Sequence, residues 1–508
     1  MTNSLSTTTH HKIKTLGQLK AAGYKSRSIK EELRQNLIHK LKNKSLVFPG
    51  ILGYDETVLP DLQRAILSRH HILLLGLRGQ AKTRIARQMV NLLDEYIPYI
   101  SNTDLLDDPL APVSFAGQQL IEEMGDDTPI SWLHRSERYT EKLATPDVSV
   151  ADLIGDVDPI KAATLKLPYS DPRVIHYGLV PRSNRCLFVI NELPDLQPRI
   201  QVALFNILQE GDIQIRGFKL RLPLDIQFVF TANPEDYTNR GSIVTPLKDR
   251  IDSQIITHYP QELSIGKSIT EQEAQVAGEQ EAIDVPELAK DLIEQVAFEA
   301  RESEYVDSKS GVSARLTISA YENLLSAAER RMLINEEVKG TARVSDLVGI
   351  LPAITGKIEL VYEGEQEGAG IVAQNLLGKA IRTQFINYFP NPKPEKSKAT
   401  GKADKTYKVI TDWFSEGHTV DLLLEASQKD YEKQLRSVPG LKAVVDKHQP
   451  KASDKDKLFL MEFVLHGLAE YSMLSKKQLQ SQTQFADLLS SMFSMPGAAD
   501  FDDDDDQY

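Results

Sequence analysis

The sequence has one cysteine, Cys186, in 508 residues. That excludes an internal disulfide framework and fits a reducing compartment. Aromatic residues are sparse at 7%, and cations are outnumbered: 59 Lys and Arg stand against 72 Asp and Glu, a net charge of -13. This balance favours solubility and gives no general drive toward nucleic acid or an anionic membrane. No run approaches the roughly 20 apolar residues that cross a bilayer, and Met1 to Leu16 is polar, without the apolar segment of a secretory signal. The pairs His10–His11 and His70–His71 lack ligand-spaced partners and read as structural. No nucleophile triad is visible, and no cysteine-based site. The expectation is a soluble, cytoplasmic protein.

The apolar fraction, 41%, is enough to build real cores, and the length corresponds to two to four domains. Residues 1–47 are basic, with ten Lys and Arg against Glu31 and Glu32. A helical pattern runs through Ile29, Leu33, Leu37 and Leu41, so this extension reads as a solvated helix docked on the body rather than a nucleic-acid arm. From Phe48 to about Tyr259, short apolar runs alternate with amphipathic helices, the pattern of a parallel α/β sheet. The strand candidates are His71–Gly76, Cys186–Ile190, Ile226–Ala232 and Ile255–Tyr259. Residues 284–387 carry helical spacing only, as in Leu288, Leu292, Val296 and Leu316, Ala320, Leu324. The resulting division is a basic extension (1–47), an α/β nucleotide-binding domain (48–270), a helical lid (271–388), a Pro/Lys/Gly-rich linker (389–405), a helical C-terminal extension (406–499) and an acidic tail (500–508) holding the run Asp502–Asp506.

The first candidate site follows the first strand. His71-Ile72-Leu73-Leu74-Leu75 runs into Gly76-Leu77-Arg78-Gly79-Gln80-Ala81-Lys82-Thr83, and a helix with Ile85, Met89, Leu92 and Tyr96 on one face is expected next. A triphosphate needs this order: small residues let backbone N–H groups wrap a phosphate, and the helix N-terminus adds its dipole. Lys82 reaches the β/γ-phosphates and the Thr83 hydroxyl ligates Mg²⁺ in such a loop. Ala81 stands where the pattern has a second glycine. Its place at the helix entry is expected to need only right-handed dihedrals, so that a methyl is tolerated.

A phosphate loop needs a second strand ending in acidic residues. Cys186-Leu187-Phe188-Val189-Ile190-Asn191-Glu192 supplies one, with Glu192 as the expected general base. Asn191 occupies the position of an aspartate that holds the hydration shell of Mg²⁺. An amide can still orient a metal-bound water but brings no charge. The expectation is weaker Mg²⁺ binding, relieved by an Asn191→Asp change.

With these two segments in order, the chain resembles AAA+ ATPases, specifically the clade of the magnesium-chelatase I subunit and the MoxR proteins, over about residues 48–360. The resemblance implies a P-loop AAA+ core with a parallel sheet, then an α-helical lid and a helical C-terminal region, with ATP and Mg²⁺ as cofactors. It implies that Ile51-Leu52-Gly53-Tyr54 lies on the adenine side. It makes Asn233, in Asn233-Pro234-Glu235, the sensor 1 residue that positions the lytic water. Arg250, in Thr245-Pro246-Leu247-Lys248-Asp249-Arg250-Ile251, looks like an arginine finger acting in the neighbouring subunit, and Arg315, in Gly311-Val312-Ser313-Ala314-Arg315, looks like sensor 2, with Ser313 as N-cap. Ala144–Asp158 resembles a helix-2 insert. Asp212–Leu222, alternating around Gly217, reads as a pre-sensor 1 hairpin. The resemblance further implies a hexameric ring with a von Willebrand factor A domain partner, working as a chaperone-like motor that remodels a protein or assembles a metal or protein complex. A nucleotide-regulated scaffold with little hydrolysis and the motor subunit of a magnesium-chelatase-type insertase are the alternatives.

Overall fold

The structure, a computed structural model, describes residues 12–169, 171–210, 215, 222–234, 242–393, 406–478 and 482–488. The chain divides into two compact units between Tyr259 and Pro260.

The first unit is built on a parallel sheet of five strands: β1 (Ile72–Leu75), β4 (Tyr139–Leu143), β7 (Leu187–Asn191), β8 (Gln227–Ala232) and β9 (Ser253–Ile256), in the order β4-β7-β8-β1-β9. This is an α/β core with the expected parallel sheet, and the loop Gly76–Thr83 follows its β1. The strand before the phosphate loop is flanked by β8 and β9, with Ile72 opposite both Val229 and Ser253. Successive side chains of a strand point to opposite faces, and here both faces are covered. Leu73, Phe188, Ile190, Phe228 and Phe230 enter one core with the helix Pro198–Glu210. Ile72, Leu74, Leu187, Val189, Val229 and Ile255 enter the other, against α2 (Ile29–Lys42), α3 (Val58–Leu67) and α4 (Lys82–Gln88).

Four strand candidates from the sequence become β1, β7, β8 and β9. The polar β4, Tyr-Thr-Glu-Lys-Leu, was not among them. An edge strand has only one paired side and needs no apolar run, so periodicity does not reveal it. Between α4 and β4 the chain also forms an antiparallel pair, β2 (Tyr96–Ile100) with β3 (Ile130–His134). Tyr96, expected on the face of the helix after the loop, instead opens β2, because α4 ends at Gln88 and only a single tight turn, Met89–Leu92, follows it. Ala144–Asp158, the stretch read as an insert, follows β4; it holds β5 (Gly155–Val157), which pairs antiparallel with β6 (Ile175–Tyr177) beyond it. Of the expected hairpin Asp212–Leu222, only Ile215 and Leu222 are described, and both are buried. Glu235, residues 394–405 of the linker and the Asp502–Asp506 run lie outside the described residues.

The basic extension joins the first unit. Ser28 caps α2 by accepting from the Glu31 N–H, and Asp225 accepts from the Ile29 N–H at 2.7 Å. Ile29, Leu33 and Leu37 are buried, whereas Leu41 is exposed. On the buried face Glu32 meets Arg138 in a bidentate pair, at 2.7 and 2.8 Å, both side chains almost fully buried. The remaining capacity is used as well: Arg138 donates to the Arg185 carbonyl, and Glu32 accepts from the Asp94 N–H.

The second unit was expected to be two separate helical pieces. Instead, one hydrophobic core runs from Ile283 to Phe485 and includes residues on both sides of 394–405. The helix Leu263–Glu273, which the expected boundary at residue 270 divides, belongs here as a whole, and its Thr270 donates to Glu294 at 2.5 Å. The C-terminal part is also not purely helical. Val420–Leu423, Ser475–Gln478 and Gln482–Ala486 form a three-stranded antiparallel sheet. These strands are short and partly polar, which leaves little periodic signal. Among the described residues no helix is long and apolar enough to cross a membrane.

Removing one member of a buried ion pair leaves an unmatched charge and costs about 3–5 kcal/mol, against about 0–1 kcal/mol for an exposed pair. Glu32→Ala should therefore lower the thermal midpoint of the first unit sharply. Glu31→Ala, which removes the half-exposed contact to Arg69, should leave it nearly unchanged. Equal midpoints for the two variants in thermal denaturation would show that the N-terminal helix is not part of this unit's cooperative core.

Candidate nucleotide site

Parallel α/β sheets place their functional loops at the carboxyl ends of the strands. Here β1 leads into Gly76, β7 into Glu192 and β8 into Asn233, and the three strand ends converge.

The loop after β1 is held from several sides. Tyr54, buried beneath it, donates its hydroxyl to the Gln80 carbonyl at 3.1 Å and to the His258 carbonyl at 2.7 Å. The Gln80 side chain turns inward and accepts from Thr257 at 2.7 Å, and Tyr259 donates to the Arg78 carbonyl at 2.8 Å. A Cβ on Gly76 would run into Thr257 Oγ1 and Gln80 Oε1, so this position admits no side chain. Gly79 has φ +71°, in the region where glycine is at no disadvantage. Gly53, beside Tyr54, has φ +76°.

Ala81 departs from expectation. Its dihedrals are φ +57° and ψ +13°, left-handed rather than right-handed. The residue enters α4 in a conformation that costs an L-residue roughly 1–2 kcal/mol. The glycine missing from the pattern is missing where its conformational freedom would be used.

Lys82 is 7% exposed. Its Nζ donates to the Gly76 carbonyl, to the Leu77 carbonyl at 2.9 Å and to Asn233 Oδ1 at 2.7 Å. A cation can only donate, so the Asn233 amide is turned with its oxygen to Lys82 and its Nδ2 toward Glu192 Oε2, at 3.0 Å. Glu192 itself has φ +54° and ψ +51°. Such a conformation in a non-glycine residue is uncommon, and strained positions of this kind cluster at functional sites.

Thr83 Oγ1 donates to Asn191 Oδ1 at 3.4 Å. Thr231 Oγ1 also donates to Asn191 Oδ1, at 3.0 Å, while accepting from the Glu192 N–H at 3.3 Å. The other end of the Asn191 amide, Nδ2, donates to Glu141 Oε1 at 2.6 Å. Glu141 lies on β4 and accepts in addition from Arg87 of α4, at 2.9 and 3.2 Å, and from Tyr139 at 3.0 Å. Partial burial works against its charge, but the donors from Arg87, Tyr139 and Asn191 prevail and hold the carboxyl below the usual range for glutamate. Burial pushes the lone thiol, Cys186, up to about 12, which leaves it inert. His71 is buried as well: burial, Lys30 and His70 lower its pKa to about 3, and its ring accepts from the Phe228 N–H at 3.2 Å.

The expected residues Gly76, Gly79, Gln80, Ala81, Lys82, Thr83, Asn191, Glu192 and Asn233 are thus brought together. Gly53 and Tyr54 lie under the loop, where Tyr54 supports its backbone. Arg250 follows the short helix Thr245–Lys248; it donates to the Pro246 carbonyl at 3.0 Å and lies over the ring of Phe205, 3.9 Å from its centroid. Arg315 opens the helix Arg315–Ile334 of the second unit, and its N–H donates to Ser313 Oγ at 3.1 Å; the N-cap position is Ala314 rather than the expected Ser313, and Ala314 makes no side-chain cap. Sequence reasoning missed Glu141, Thr231 and Thr257, because only strand pairing brings them to the loop.

The residues fit a magnesium-bound triphosphate by their chemistry. They provide a buried lysine ammonium, a hydroxyl at the first turn of a helix, a carboxylate and two oriented amides, below a loop that excludes a Cβ at Gly76.

No family model matches the sequence, and no curated protein matches it. Among solved structures, NtrX from Brucella abortus is similar at 13% identity and a TM-score of 0.33; the match covers 57% of this chain and 55% of that one. A putative ATPase from Cytophaga hutchinsonii is similar at 17% identity and a TM-score of 0.29, over 71% of this chain and 97% of that one. A chain of the complex between subunits BchI and BchD of magnesium chelatase is similar at 18% identity and a TM-score of 0.33, over 63% and 98%. This chain therefore spans about half the NtrX chain and nearly all of the other two. At these scores the likeness decides neither activity nor partner.

The left-handed Ala81 gives a direct test of the loop. Ala81→Gly should raise the nucleotide-free thermal midpoint or leave it unchanged, and Ala81→Val should lower it by the equivalent of about 1–2 kcal/mol or more. A stabilising valine in the same melting experiment would contradict the left-handed entry.

Proposed function

We propose that the chain is an ATP-binding and ATP-hydrolysing AAA+ motor that remodels a partner protein or assembles a metal or protein complex. The observation that carries this reading is the meeting of Lys82, Thr83, Asn191, Glu192 and Asn233 at three adjacent strand ends.

In this account the backbone N–H groups of Gly79 to Lys82 and the N-terminus of α4 receive the phosphates. Lys82 exchanges loop carbonyls for phosphate oxygens, which match its charge better. Thr83 and Asn191 hold Mg²⁺, which when bound neutralises the charge of the phosphate oxygens. Glu192 takes a proton from the attacking water, and Asn233 keeps the Glu192 carboxylate in place while contacting Lys82. Gly53 and Tyr54 border the adenine side. Arg250 serves as the finger for the neighbouring subunit's ATP. A shared site of this kind needs a ring, and a hexamer is the form proposed. A protein with a von Willebrand factor A domain is the proposed partner, in a cytoplasmic setting.

Two departures favour a second reading. Asn191 lacks the charge of an aspartate, and Ala81 strains the loop. Both weaken hydrolysis, which would leave a scaffold that assembles on ATP without performing work. A magnesium-chelatase-type insertase motor is compatible with the same site.

Lys82→Ala should abolish ATP binding in calorimetry. Glu192→Gln should keep binding and reduce hydrolysis by at least about 10²-fold, the lower range for loss of a general base. Turnover by Glu192→Gln within a few-fold of wild type would remove Glu192 from this role.

The finger is tested by mixing. Arg250→Ala and Glu192→Gln subunits should each be nearly inactive but regain partial activity together, because some interfaces then combine an intact base with an intact finger. Fingers contribute about 10³–10⁵ in rate, so even a small fraction of such interfaces is measurable. A co-assembled mixture as inactive as either parent would contradict a shared site.

A further inference from the structure

In the proposed ATPase, on which this inference rests, an asparagine holds the metal where an aspartate is expected. An aspartate offers an oxygen to the metal whichever way its carboxylate turns. An amide does so in only one of two orientations, because its nitrogen repels a cation. An asparagine at position 191 therefore works only if something fixes the direction of its side chain.

The structure contains such a device on two sides. Residues alternate faces along a strand. Glu141 is in register with Val189, which places its side chain on the same face of the sheet as Asn191, two residues further on. Thr83 and Arg87 are four apart in α4 and share the helix face above them. The result is a closed set: Thr83 to Asn191 at 3.4 Å, Asn191 to Glu141 at 2.6 Å, and Glu141 to Arg87 at 2.9 Å, with α4 joining Arg87 back to Thr83. A carboxylate held by an arginine accepts only, so the Asn191 amide must present its NH₂ to Glu141. From the other side, Thr231 uses its hydroxyl lone pair for the Glu192 N–H and gives its proton to Asn191 Oδ1. Both neighbours impose the same orientation, with the oxygen toward Thr83. The Arg87 side chain is 64% exposed, and an ion pair so open adds little stability, so the contact is better explained by the direction it gives than by the energy it contributes.

We propose that Glu141 is a positioning residue that, clamped by Arg87, turns the carbonyl oxygen of Asn191 toward Thr83 and Mg²⁺ and so allows an asparagine to serve in the metal site. The negative charge that position 191 lacks is thereby present one residue further out, on β4. This also revises what an aspartate at 191 would do. Asn191→Asp alone sets two carboxylates against each other at hydrogen-bond distance, where like charges repel and the bond that fixes the side chain is lost. The aspartate becomes useful only when Glu141 is neutralised.

The test uses the full chain with adenylyl imidodiphosphate, and Mn²⁺ as the metal probe. Mn²⁺ affinity is read by electron paramagnetic resonance, and metal-free nucleotide affinity by calorimetry in EDTA. Glu141→Gln should weaken Mn²⁺ binding by about 10-fold or more, the usual effect of losing a partner that orients a ligand, with metal-free nucleotide affinity unchanged. Asn191→Asp alone should not tighten Mn²⁺ binding. The double variant Glu141→Gln, Asn191→Asp should restore wild-type affinity or exceed it, because the glutamine amide can donate to the new carboxylate. Rescue by the second change separates positioning from a general loss of folding. Wild-type Mn²⁺ affinity in Glu141→Gln, or clearly tighter binding in Asn191→Asp with Glu141 intact, would overturn the proposal. Failure of the wild type to bind the nucleotide in EDTA would instead overturn the ATPase reading beneath it.

Discussion

A buried ammonium organises the carboxyl edge of the parallel sheet. Lys82 is almost fully enclosed, and an enclosed charge is costly unless matched by acceptors. Its acceptors include two loop carbonyls and Asn233 Oδ1, and the last is available because β8 lies beside β1 in a register that brings Ala232 opposite Leu75. Once Asn233 faces Lys82, its other end must face Glu192. The positions of Glu192, Asn233 and the loop are therefore coupled through one amide, and the strand order behind them has little freedom to change.

A second amide extends the same logic. Asn191 connects the P-loop helix through Thr83, the neighbouring strand through Thr231 and the sheet edge through Glu141. Each neighbour offers only one kind of partner to the atom it faces. The site thus replaces one expected carboxylate with a directional amide and a carboxylate further out. This matters when weighing a working motor against an idle scaffold: Asn191 by itself looks like an erosion of the metal site, whereas Asn191 with Glu141 looks like a different way of building one.

Much of this was readable from the chain. The apolar runs of β1, β7, β8 and β9 carry a clear signal because a central parallel strand is buried on both faces, and the glycines and Lys-Thr pair mark the phosphate loop between β1 and α4. What could not be read has physical causes. The strand β4 is an edge strand with polar residues, so neither it nor Glu141 stood out. The left-handed entry at Ala81 contradicts the residue's own preference and is imposed by the loop around it. The sheet Val420–Leu423, Ser475–Gln478 and Gln482–Ala486 depends on pairing across more than fifty residues, and the continuous core from Ile283 to Phe485 passes over a Pro/Lys-rich stretch that composition presents as a break. Strand ends announced the site; lateral contacts completed it.

The central claim is that these converging side chains hydrolyse ATP rather than merely hold it. The most direct measurement is release of inorganic phosphate from ATP by the purified wild-type chain as free Mg²⁺ is raised at saturating nucleotide. The account predicts slow release that requires Mg²⁺, saturates with it and stops in EDTA. Tight ATP binding with no phosphate release at any Mg²⁺ concentration would contradict it and leave a nucleotide-regulated scaffold in its place.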